Sequence, residues 1–192
     1  MEPSRAPLLP AGRLRRLTVA EYMRMVDAGV FGEHERLELL DGVLCQMSPQ
    51  SVPHARIIQV LGRLLFRQLS EQHDLRVQLP LQLGELSVPE PDLAVVERKE
   101  SERRDSHPRH ALLVIEVARE SLREDRLTKG ALYARHGIPE FWLVDVDRER
   151  VEVYRAPDSE TEAYTERITV GRSEVLSCRC APGLSVPLAD IW

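Results

Sequence analysis

The feature that most narrows what this chain can fold into is the stretch from Leu112 to Asp145. An apolar run, Leu112 to Ile115, is broken by a single carboxylate, Glu116, before Val117 resumes it. A segment rich in helix formers follows, then a second apolar run, Phe141 to Val144, closing on Asp145. Strand, helix and strand over about thirty residues is the size of a right-handed crossover between parallel strands. Alternation puts Leu112, Val114, Glu116 and Ala118 on one face of the first strand and Leu113, Ile115 and Val117 on the other. The helix is expected over 121–136; Gly137 ends it and Pro139 keeps it from resuming. Parallel strands are normally covered on both faces, so a lone acid in one is costly unless a cation sits beside it. Lys129 is the obvious candidate, on one helical stripe with Asp125 and Tyr133.

Before this crossover, Thr18 to Glu21 forms a capping-box pattern opening a short amphipathic helix over 18–28. Arg36 to Met47, broken by Asp41-Gly42, reads as a β-hairpin with a two-residue turn. On the residues alone, Glu38 in its first strand is a solvent-facing position. From His54 to Gln72 the apolar residues form a core-facing helical stripe, with Arg56, Arg63 and Arg67 on a solvated side. His54, at the helix entrance, can cap, bind a carboxylate or stand exposed. Leu75 to Leu83 alternates as a strand. Pro91 then marks the entry to a short buried strand, Leu93 to Val96, and fixes where Asp92 points. Residues 97–109 are expected as a charged loop. After the crossover, 151–154, 163–170 and 175–177 read as shorter antiparallel strands that close the sheet or form a lobe beside it, with Ile191 and Trp192 docking on the core.

Length fits one domain over 17–192, preceded by a flexible, mildly basic arm over 1–16. A formal charge of −5 and a pI near 5.7 provide no global basic field, which argues against a non-specific nucleic-acid coat protein. No apolar run is long enough for a membrane span or a secretion signal, and the expected location is cytoplasmic. Three cysteines argue against a disulfide framework; the Cys178-x-Cys180 pair is expected as buried or edge-strand thiols.

Asp92 at a strand entry and Glu116 late in a neighbouring strand can converge at one end of a sheet. Two hard oxygen ligands suit Mg²⁺ or Mn²⁺, which keep waters and accept phosphate oxygens. A lysine beside them can stabilise a phosphorane's charge, or orient or deprotonate the attacking water. The same residues are also compatible with an acidic cluster neutralised by Lys129 and arginines, without catalysis.

The stretches LTVAEYMRMVD, ERLELLDGVLCQMSPQSVPH, EPDLAVV, LLVIEVA and DRLTKGALYARHGIPEFWLVDV cover most of residues 17–147. In this order they resemble the Uma-two family of restriction-endonuclease-like proteins, within the PD-(D/E)xK nuclease superfamily. The resemblance implies an α/β fold with a mixed central sheet and flanking helices. It also implies Asp92 and Glu116 as metal ligands, Glu38 as a further acid of the site and Lys129 as the catalytic lysine. In the superfamily's usual motif the lysine lies two residues after the acid, here Ala118; the family's version places it on the helix. Arg119 stands where the family typically has Ser. The function so implied is Mg²⁺- or Mn²⁺-dependent hydrolysis of DNA phosphodiester bonds, with a homodimer plausible. The alternative from another class is a degenerate module that keeps the fold and binds nucleic acid or a protein.

Overall fold

A computed structural model of the chain describes residues 14–32, 35–119 and 123–192, the side chains of 123–126 excepted. The expected N-terminal arm therefore lies outside the described residues except for 14–16, as do the first positions of the crossover helix, 121 and 122. The sequence folds around a six-stranded mixed sheet in the order β3-β4-β5-β6-β7-β8. Its strands are β3 (His73–Val77), β4 (Leu93–Glu97), β5 (Leu113–Ala118), β6 (Glu140–Asp145), β7 (Arg150–Asp158) and β8 (Ala163–Gly171). Only β5 and β6 run parallel, joined by helix α4 (Arg123–Arg135), as the crossover pattern requires.

The alternation along β5 sorts the core into two layers. Leu113, Ile115 and Val117 pack with Ile57, Leu61 and Leu65 of helix α2 (Val52–Phe66). Val114 and Ala118 pack on the other face with Leu132 and Tyr133 of α4. Two features draw α4 close. Gly130 lies against β6, where an added Cβ would come within 3.0 Å of the Phe141 ring. At the C-terminus, Ile138 N–H donates to the Tyr133 carbonyl and Gly137 N–H to that of Ala134, the paired closure of a Schellman motif.

Helix α1 (Val19–Asp27) opens with both halves of the expected capping box, Thr18 and Glu21. The first hairpin, β1 (Leu37–Leu40) and β2 (Val43–Gln46), forms a two-stranded sheet of its own. Asp41 and Gly42 turn it with φ of 48° and 78°, the left-handed pair of a type I′ turn. It is clipped to the chain ahead of β4, with Gly42 N–H donating to Leu86 O and Val88 N–H to Leu39 O, each at 2.7 Å. Asp41 also pairs with Arg135 at the end of α4.

Three expectations are corrected. The alternation over 75–83 suggests one strand, but β3 stops at Val77; Gln78 takes φ 50°, and Leu81 and Leu83 turn into the α4-side core. Helix α2 ends at Phe66, short of Gln72, because the Gln68 amide donates to Leu64 O at 3.0 Å and to Ser185 O at 2.8 Å. The charged loop after β4 opens with one short helical turn, α3 (Arg98–Ser101). Beyond β8, the expected lobe beside the sheet is formed by β9 (Val175–Ser177) paired with β10 (Ser185–Pro187), and Ile191 docks in the α2-side core as expected.

Candidate functional site

The β4–β5 ladder builds the site. Leu93 pairs with Ile115 and Ala94 with Val114, so one further residue along the register Asp92 stands opposite Glu116. Asp92 lies on a bend just before β4, and there its side chain serves as the acceptor for the neighbouring strand: Val117 N–H donates to Oδ2 at 2.8 Å. His54 Nε2 reaches the same oxygen at 3.1 Å, and Gln78 Nε2 approaches Oδ1 at 3.4 Å. Glu116, fully buried, lies on the α4 side of the sheet. Its Oε1 accepts from the Tyr133 hydroxyl at 2.7 Å and ion-pairs with Lys129 Nζ at 3.4 Å.

The ammonium of Lys129 also meets Glu38 Oε2 at 2.7 Å. Glu38 is therefore not a solvent-facing strand residue. It is buried because the hairpin lays that face over the cleft, and Glu90 N–H donates to its Oε2 at 3.2 Å. An ammonium only 4 % exposed is tolerable because carboxylates from two separate sheets surround it. Neighbouring Glu90 registers the crowding: burial raises its carboxyl above the usual range against the pull of Arg36, and Glu38 adds to the rise.

These side chains border a cleft of about 300 Å³ lined by Glu38, His54, Gln78, Asp92, Thr128 and Lys129 and, on the hairpin side, by Arg36, Gln46, Met47, Ser48 and Gln50. The four residues singled out in the sequence, Glu38, Asp92, Glu116 and Lys129, come from β1, the β4 entry, β5 and α4 and converge here. Asp92 and Glu116 supply hard oxygen donors on adjacent strands, which suits Mg²⁺ or Mn²⁺ completed by water and phosphate. No group of three or more His, Cys, Asp and Glu among the described residues is arranged to hold a metal ion.

The model of the Uma2 (Uma-two) family, described as "Putative restriction endonuclease", matches residues 19–189. The chain belongs to the Uma2 family. Its fold is similar to that of a solved structure from Anabaena variabilis, described as "a putative nuclease belonging to DUF820". The two share 19% sequence identity, with a TM-score of 0.68 over 91% of this chain and 97% of that one. No curated protein matches the chain.

In this Uma2 chain Lys129 reaches the cleft from α4. The position two residues past the strand acid, Ala118, is buried against that helix, with Asp145 opposite on β6. Arg119 points to the surface and pairs with Asp147 at 3.2 Å. His54 and Tyr133 enter the site without having been assigned to it from sequence. Their signals were faint: a histidine directly after Pro53 at a helix entrance, and a tyrosine one turn beyond Lys129.

Proposed function

We propose that this chain is a divalent-metal-dependent endonuclease that hydrolyses DNA phosphodiester bonds. The observation that carries the reading is the position of the Lys129 ammonium, 2.7 Å from Glu38 and 3.4 Å from Glu116, at the edge of a cleft that also exposes Asp92. Asp92 and Glu116 would hold Mg²⁺ or Mn²⁺. Once bound, such an ion acidifies water and neutralises phosphate charge, the device expected for a barrier as high as that of phosphodiester cleavage. Lys129, held by Glu38, stands where it can offset the charge that develops on a phosphate entering the cleft. Glu38 acts through the lysine, whose long side chain it fixes at the cleft wall. Arg36 adds a second cation to the same wall for a neighbouring phosphate.

The test incubates plasmid and linear DNA with the purified chain in Mg²⁺ or Mn²⁺, alongside Glu116→Ala and Lys129→Ala. Cutting by the wild type alone, abolished by EDTA, is the expected result. Equal cutting by all three, or cutting that survives EDTA, refutes the assignment. Salt-sensitive DNA binding without cutting would instead make the chain a binding module on a nuclease fold.

A further inference from the structure

We propose that His54 and Tyr133 are positioning residues that hold Asp92 and Glu116 in the geometry a divalent cation needs. The inference rests on the metal-dependent reading above. Asp92 sits on a bend just before β4; Gln78 N–H holds its main-chain carbonyl at 3.1 Å, but that bond does not orient the carboxylate. The Val117 amide and the His54 ring do so instead, both on Oδ2, at 2.8 and 3.1 Å. A carboxylate only accepts, so Nε2 of His54 carries the proton. The imidazole is 7 % exposed, and its Nδ1 is buried with no hydrogen-bond partner. Leaving a buried polar atom unpaired costs about 1–3 kcal/mol, so a ring placed here for packing alone would be better apolar. The tie to Asp92 gives the imidazole its reason.

Tyr133 performs the corresponding task for Glu116 from the opposite face of the sheet. It lies one turn beyond Lys129 on α4, is fully buried and packs against Phe141 with ring centroids 5.5 Å apart. Ring packing sets where its hydroxyl points, and the hydroxyl donates to Glu116 Oε1 at 2.7 Å. Each acid is thus steered by a rigid ring from a different helix, α2 for one and α4 for the other. The angle between the two carboxylates is set by how these helices clasp the sheet. Groups that orient a metal-binding side chain typically change metal affinity 10–100-fold.

Calorimetric titration of the full chain with Mn²⁺ tests this, comparing wild type, Tyr133→Phe, His54→Ala and His54→Gln, with Mn²⁺ electron paramagnetic resonance spectra and melting curves in EDTA for each. Tyr133→Phe and His54→Ala should bind Mn²⁺ about 10–100-fold more weakly, with altered spectra. His54→Gln, whose amide can donate to Asp92, should recover most of the affinity. Tyr133→Phe keeps the ring and so keeps the test open if His54→Ala fails to fold. Wild-type affinity in the variants overturns the inference and leaves the metal-dependent reading standing. A wild-type chain that takes up no Mn²⁺ overturns both. Weaker binding that His54→Gln does not recover, or that merely tracks a fall in melting temperature in EDTA, also overturns it, because the side chains would then only be holding the fold.

Discussion

Glu116 and Glu140 stand on neighbouring parallel strands, both fully buried, and they have opposite fates. Glu140 opens β6 on the α2 side of the sheet. Its Oε1 accepts from the Trp142 indole and the Arg155 guanidinium, and its Oε2 from the Arg179 amide, all at 2.8 Å, with the Cys178 thiol at 3.6 Å. Burial alone would raise its pKa, but these donors outweigh it and hold the carboxyl below the usual range. Cys178, pushed up to about 12 chiefly by burial, stays a thiol and can donate. That cluster pins β9 and the loop after it to the sheet, and none of its residues lines the cleft. Glu116 instead lies beside two more acids, Asp92 across the ladder and Glu38 across the ammonium, behind a cleft that Glu38, Asp92 and Lys129 line. Burial of a carboxylate therefore does not mark a site. Gathering like charges around one cation beside an opening costs stability, and it is this arrangement that the proposed function draws on.

The contrast can be broken or sharpened by experiment. The largest effect should come from Asp92→Asn and Glu116→Gln. On the proposed function each loses Mn²⁺ affinity and DNA cutting by more than the roughly 100-fold seen for residues that only orient a ligand, while Glu140→Gln keeps both. Loss of cutting in Glu140→Gln at unchanged stability would erase the distinction. Next, Glu140→Ala should destabilise the chain by roughly 3–5 kcal/mol in urea denaturation, since it strands Arg155 without its carboxylate. A cost under about 1 kcal/mol would show that the pair is dispensable.

A smaller, more diagnostic effect separates the two cations. Lys129→Met leaves Glu38 and Glu116 buried without their ammonium, so saturating Mn²⁺ should raise its melting temperature by more degrees than it raises that of the wild type. Arg155→Met should show no such rescue. The smallest effect is in acid. Because the folded pKa of Glu140 lies below its ordinary value of 4.5, the stability it contributes is present above that value and is lost as pH falls through the folded pKa. Melting temperatures should therefore fall less steeply below pH 4.5 for Glu140→Gln than for the wild type, though from a lower plateau.

Much of the frame was legible in the sequence because it rests on local rules. The Thr18–Glu21 capping box, the Asp41-Gly42 turn and the strand-helix-strand run around Glu116 each involve residues close in the chain. The premature end of β3 was not legible, since Leu81 and Leu83 keep the alternation while the backbone at Gln78 turns away. Nor was the end of α2, which depends on Gln68 meeting Ser185 at the far end of the chain. In the site, alternation gave the face of Glu38 but not what covers that face, and the covering helix decides whether it meets water or Lys129. For His54 the sequence left capping, carboxylate binding and exposure open, and tertiary packing decides for the carboxylate; the partner of Tyr133 is likewise set by packing.

The hairpin is tied to α4 at two points a turn and more apart, Glu38 to Lys129 and Asp41 to Arg135. The hairpin precedes both its anchors in the chain, and they are translated roughly ninety positions later. Until α4 has been made and seated, the ammonium has no fixed address and the acids of the sheet face an unfinished wall. On the proposed function, the cleft takes its working form only when the hairpin and α4 are both in place.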